Sequence, residues 1–214
     1  MDPLSAPEGR VVASLVEKQL TTPQYYPLTL SLLVAACNQT SSRDPVTSYA
    51  EHEVLGVLES LKVKRLVRAV LPSHGRSVVR FRHVLDEALG LDAPQLAVLS
   101  VLELRGPQTV AELRTRTERM TAIETVDHEL DLLAGRDEPL VQRIGRRPGQ
   151  KEDRWVSLLQ GGDVALAAEA SAPLAQVVTP RARDDDVRGE LADLRAEVAA
   201  LRRAVEELRS ALGG

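Results

Sequence analysis

The chain has 214 residues, 43% of them apolar, and a formal charge of −4. That is the profile of an ordinary globular protein with one large or two small domains. With one Trp, three Tyr and one Phe, the core must be built from Leu, Val and Ala, and stacking of single-stranded bases on aromatic platforms is disfavoured. The lone Cys37 excludes an internal disulfide, the start MDPLSAPEGR lacks the basic and apolar regions of a signal peptide, and no run reaches the ~18 apolar residues of a membrane span. A cytoplasmic location, with no membrane partner, is the expectation.

Residues 1–90 form the first predicted domain. Val11, Val12, Leu15 and Val16 recur at helical spacing, as do Leu30, Leu33, Val34 and Cys37, and then Val54, Leu55, Leu58 and Leu61. The stretch LVRAVLPSHGRSVVRFRHV follows, two β-branched runs around a Pro-Ser-His-Gly turn, which predicts a hairpin. Three helices followed by a hairpin is the order of a winged helix. Between the first two helices, Tyr25-Tyr26-Pro27 reads as a rigid connection whose rings cover one end of the core. Cys37 falls on the buried face, where a small hydrophobe is expected rather than a reactive thiol. Arg43 and Asp44, in a long connection before the third helix, fit either a local ion pair or a phosphate contact.

Residues 91–160 repeat the order as a second domain. Leu96, Leu99 and Leu102 precede Leu113, then Ile123, Val126, Leu130 and Leu133, and PLVQRIGRRPGQKEDRWVSLL supplies the hairpin. The exits from the first helix of each unit are alike, LTTPQ against RGPQ, and Thr109 with Glu112 makes a capping box. Trp155 is expected to anchor the second hairpin on its helices. The fold class expected is therefore mainly α with small β-hairpins (α+β), as two tandem winged-helix domains.

Residues 161–183 are rich in Ala, Gly and Pro without a period and read as a linker. Residues 184–214 then form a coiled-coil helix. Val187, Leu191, Leu194, Val198, Leu201, Val205, Leu208 and Leu212 step by four and three, and mostly Val at a with Leu at d favours two strands. Arg residues at e and Glu at g allow a parallel homodimer, with the apolar seam setting stability and the charges setting alignment. The competing arrangement is an amphipathic helix folded back on its own domain, because about four heptads make a marginal isolated coil.

The string EKQLTTPQYYPLTLSLLVAACNQTSSRDPV, with LRGPQTVAELRTRTERM and RRPGQKEDRW, resembles the bacterial YceH family over residues 10–160 and the terminal heptads. The resemblance implies tandem winged helices and carries over no catalytic residues.

The charge pattern bears on function. A helix-turn-helix reader inserts its recognition helix into the major groove, yet the third helix of unit one presents Glu51, Glu53 and Glu59, and that of unit two Glu124, Asp127, Glu129 and Asp131. Carboxylates facing phosphates repel them, so insertion of either helix is disfavoured. The hairpins have the opposite sign: His74, Arg76, Arg80, Arg82 and His83 on the first, and Arg143, Arg146, Arg147, Lys151 and Arg154 on the second, beside Arg114, Arg116 and Arg119. Residues 1–90 carry 10 basic against 9 acidic side chains and residues 91–160 carry 10 against 12, so any affinity for DNA should be modest and salt-dependent.

Arg43, Arg76, Arg80, Arg82, Arg114, Arg116, Arg143, Arg146, Arg147, Lys151 and Arg154 are the candidate DNA contacts, with a solvated hairpin face as the plain alternative. Scattered histidines, no glycine-rich phosphate loop and no paired carboxylates give no catalytic, metal or cofactor expectation. Two functions fit: a DNA-associated regulator gripping phosphates with its wings, or a protein-interaction scaffold that has lost DNA reading and binds through its acidic third helices.

Overall fold

The computed structural model describes residues 2–71, 78–146 and 152–161, a mixed α/β arrangement with seven α-helices and two small antiparallel sheets among those residues. All of them fall within one compact unit, Met1–Ala170. Helix α1 (Ala6–Thr21) starts where Ser5 accepts a hydrogen bond from the Glu8 N–H while the Glu8 carboxylate accepts one from the Ser5 N–H at 2.7 Å, so two of the unpaired amides at the helix start are satisfied. The same carboxylate receives Ser60 Oγ at 2.7 Å and Lys64 Nζ at 2.8 Å. It thereby ties the beginning of α1 to the end of α3 (Glu51–Val63).

A 3-10 turn at Pro23–Tyr25 leads into strand β1 (Leu28–Thr29) and helix α2 (Leu30–Cys37), capped by the Thr29 hydroxyl. After α3 come β2 (Val67–Val70) and β3 (Arg80–His83), and β3 sits centrally in the sheet order β1-β3-β2. Helix α4 (Leu85–Leu89) ends at Gly90, whose φ of 62° is left-handed and suits a glycine.

The second repeat runs through α5 (Ala93–Arg105), α6 (Val110–Thr117), α7 (Val126–Ala134), β4 (Val141–Ile144) and β5 (Arg154–Ser157). The expected Thr109–Glu112 capping box is present. Gln108 pairs with Trp155 of β5 through N–H···O bonds of 3.0 and 2.7 Å, in the position that β1 holds against β3. The order helix, short extended pairing, helix, helix, strand, strand therefore occurs twice, the pairing being a two-residue strand in the first repeat and a single bridge in the second. The sequence pattern missed β1 and α4, because two residues and five residues carry too little periodicity to register.

Helix α1 packs along α5, and one continuous core joins Leu15, Leu33 and Leu58 of the first repeat to Leu99, Leu113 and Leu130 of the second. The connection between α2 and α3 reaches both helices. Its Asp44 N–H donates to the Leu104 carbonyl at 2.8 Å, and its Ser42 hydroxyl accepts from Arg105 at 2.7 Å. Helix α1 contributes Glu17, buried, whose Oε2 meets Arg43 Nη2 at 2.6 Å while Arg119 of the second repeat reaches Oε1. Burial alone would push the Glu17 carboxyl up, but the hydrogen bond and charge of Arg43, with Lys18 and Arg119, bring it below the usual range.

The two tyrosines divide. Tyr25 is 62% exposed. Tyr26 packs on the core and its hydroxyl accepts the His83 N–H at 2.8 Å. Cys37 is fully buried, and burial pushes its thiol pKa up. Trp155 is half-buried against the core. Residues 162–183 of the 161–183 linker and the heptads of 184–214 lie outside the described residues, as do His74, Arg76, Arg147 and Lys151. Among the described residues no helix is long and apolar enough to cross a membrane.

Candidate nucleic-acid interface

Strand alternation sorts the first hairpin into two faces. In the β2–β3 register Val67 opposes His83, Arg68 opposes Arg82, Ala69 opposes Phe81 and Val70 opposes Arg80. Phe81 and His83 therefore point inward and are buried, while Arg68, Arg80 and Arg82 share the outer face. Directly opposed like charges destabilise a sheet unless something lies between them. Glu87 of α4 does so: its carboxylate takes Arg68 at 3.0 Å through one oxygen and Arg82 at 2.9 Å through the other. Arg80 donates to the Pro27 carbonyl at 2.8 Å. Two guanidinium groups thus share one carboxylate on an exposed sheet face, and the third is held there by a backbone carbonyl.

Arg68 was not among the sequence candidates. The signal that finds it is the register, which places position 68 opposite 82 once the hairpin length is known. His83 is corrected in the other direction. It is buried beside Tyr26, with ring centroids 6.2 Å apart, and its Nδ1 accepts from the Leu85 N–H at 3.2 Å. Burial lowers its pKa to about 4, with Asp86 pulling the other way, so at neutral pH it is no cation.

Arg43 also leaves the candidate set. Its side chain is 0% exposed, donating to the Ala36 carbonyl at 3.1 and 2.8 Å and to the Ser42 carbonyl at 2.9 Å besides the pair with Glu17. Of the two roles open for it, the ion pair is what is found, although the partner is Glu17 and not Asp44. Sequence separation hid that partner.

In the second repeat acids absorb much of the hairpin charge. Arg143 pairs with Asp153 at 2.5 Å, and the other Asp153 oxygen accepts the Arg146 N–H at 3.1 Å. Those two contacts hold the partly exposed Asp153 below the usual carboxylate range. Arg154 is turned inward to the Pro107 carbonyl (2.8 Å) and Glu112 (2.9 Å), and Arg116 lies 3.8 Å from the other Glu112 oxygen. Arg114 and Arg146 are exposed and, with Arg143, line a groove of about 810 Å³ between α6, α7 and the hairpin, but Asp127, Asp131, Glu152 and Asp153 line it too. Among the described residues the lining of this groove carries no net positive charge.

The chain is thus of the mixed α/β class, with an arginine-bearing outer face on its first sheet. The family model for "Protein of unknown function, DUF480" matches residues 4–150. A UPF0502 protein of Geotalea daltonii is 50% identical over 173 residues, covering 79% of this chain and 78% of that one. A UPF0502 protein of Pseudomonas aeruginosa (strain UCBPP-PA14) is 44% identical over 195 residues, covering 89% and 86%. The chain belongs to the DUF480 / UPF0502 family of bacterial proteins.

Proposed function

We propose that this chain is a cytoplasmic, DNA-associated tandem winged-helix protein of the YceH type, a transcriptional regulator and not an enzyme. It meets the phosphates of duplex DNA with the outer face of its first sheet. The observation that carries this reading is the Arg68–Glu87–Arg82 bridge with Arg80 beside it. Arginines already aligned across two strands, with one acid among three, form a positioning surface for phosphates. The acids on α3 and α7 favour the wing over a recognition helix as the contact. The heptads at 187–212 pair two such chains into a homodimer, which doubles the surface. The masses of the full chain and of one ending near residue 180, measured by light scattering, test the pairing.

Three phosphate contacts per chain correspond to a slope of log affinity against log salt of about −2.7, and six per dimer to about −5. Fluorescence anisotropy with a mixed-sequence duplex at rising salt measures it. Substituting Arg68, Arg80 and Arg82 together by Ala should remove most of that slope. Absence of binding by the wild type at low salt, or an unchanged slope in the triple variant, ends this reading.

A second reading, a protein-interaction scaffold, is favoured by the groove of the second repeat, where Arg114, Arg143 and Arg146 face Asp127, Asp131 and Glu152. Such alternation suits a protein segment of mixed charge better than a polyanion. Recovery of one protein partner that survives nuclease treatment and is lost on Asp127→Lys/Asp131→Lys substitution supports it.

A further inference from the structure

Between the two repeats lies a pocket of about 270 Å³. The first turns of α1, the α2–α3 connection, the end of α5 and the segment from β5 to Gln160 enclose it. Its walls are largely apolar, supplied by Pro45, Leu102, Pro107 and Val156. Two buried ionisable groups reach it, Arg10 at 4% exposure and Glu103 at 8%.

The Arg10 guanidinium is held by the carbonyls of Pro45 at 2.7 Å and Cys37 at 3.3 Å. Among the described residues no carboxylate lies within 4.0 Å of it. Burial, and then the charge of Arg43, make its ionised form less comfortable than usual. Two of its five N–H donors are thus accounted for, and a guanidinium in this condition gains most from a carboxylate. Glu103 accepts from Gln160 Nε2 at 2.7 Å, and burial, opposed by hydrogen bonds from Ser157 and Gln160, raises its pKa. Gly9 makes the approach of Glu103 to α1 possible, since a Cβ there would lie 2.2 Å from Glu103 Oε2. The pocket is thereby furnished with a pre-oriented cation that has no ion-pair partner among the described residues, the Asp44 carboxylate on the same wall acting on it through its charge alone.

We propose that this seam pocket binds a small carboxylate with an apolar body, the carboxylate on Arg10 and the body against Leu102, Pro45 and Val156. A plain carboxylic acid and an amino acid share this chemistry, and they differ in an ammonium group that Glu103 would receive. About eight non-hydrogen atoms fit the size, and a ligand this small binds with a dissociation constant of about 0.1–1 mM.

The test uses the full chain and three probes of one shape: 4-methylpentanoate, L-leucine and 3-methylbutylamine, which lacks the carboxylate. Isothermal titration and ligand-observed NMR should show saturable binding of one or both carboxylates and none of the amine. Of the two, binding confined to L-leucine assigns Glu103 to the ammonium, and binding of both assigns the site to Arg10 alone. Arg10→Lys keeps the charge, loses the fork and should weaken binding about tenfold. Ala6→Trp fills the rim from an exposed position at the start of α1 and should abolish binding with the melting temperature nearly unchanged. Failure of both carboxylates to saturate by about 10 mM, binding of the amine as tight as theirs, or full binding by Ala6→Trp overturns the proposal.

Discussion

Removing Arg43 should damage this protein more than any surface substitution. The side chains of Arg43 and Glu17 are 0% and 2% exposed and meet at 2.6 Å. In Arg43→Ala the Glu17 carboxylate stays buried with only Arg119, itself half exposed, and Lys18 at 3.8 Å, while the Ala36 carbonyl loses both of its guanidinium donors. Breaking one side of a buried pair costs about 3–5 kcal/mol. The remaining Arg119 contact puts the expectation near the lower end, about 3 kcal/mol, or a fall of roughly 6–12 °C in melting temperature for a unit of this size. Glu17→Leu/Arg43→Met should recover much of that loss, because no charge is then stranded. Urea denaturation of Glu17→Leu, Arg43→Met and the double variant closes the cycle, with a coupling of about 2 kcal/mol expected. The lowered pKa of Glu17 adds a pH signature: this stability is present above the unfolded carboxyl value and is lost as pH falls through the folded one. Loss of under about 1 kcal/mol in Arg43→Ala, or a double variant as weak as the two singles added, would refute the reasoning.

Three further outcomes follow from buried groups. His83, at about 4 when folded against about 6.5 unfolded, is neutral in the fold while the unfolded chain takes up protons between those values. Stability should fall by about 2 kcal/mol from pH 7 to pH 5 on its account, and in His83→Gln that part of the urea-midpoint profile should flatten. Tyr26→Phe strands the His83 N–H that donates to the hydroxyl at 2.8 Å; calorimetry should find a loss of about 1–2 kcal/mol. Cys37, buried with its thiol pKa raised, should resist Ellman's reagent in the native protein and release one equivalent of chromophore in urea; fast native reaction would contradict the packing.

Sequence alone settled what depends on near neighbours. Apolar residues at three- and four-residue steps placed α1, α3, α5 and α7, β-branched runs around turns placed both hairpins, and Thr109 with Glu112 marked the start of α6, because these signals arise within one or two turns of chain. The buried face of Cys37 followed from the same periodicity. Tertiary structure decided the fate of the charges. Arg43 finds Glu17 26 positions away, Arg154 finds Glu112 42 positions away and Arg119 finds Glu17 102 positions away; none of these separations leaves a local trace. Composition could count the arginines of the hairpins, but only the cross-strand register brings Arg68 opposite Arg82 and turns His83 inward. Whether a long cationic side chain serves solvent, a phosphate or a buried acid depends on a partner brought near by folding, since a charge is assigned by distance in space and not by distance along the chain.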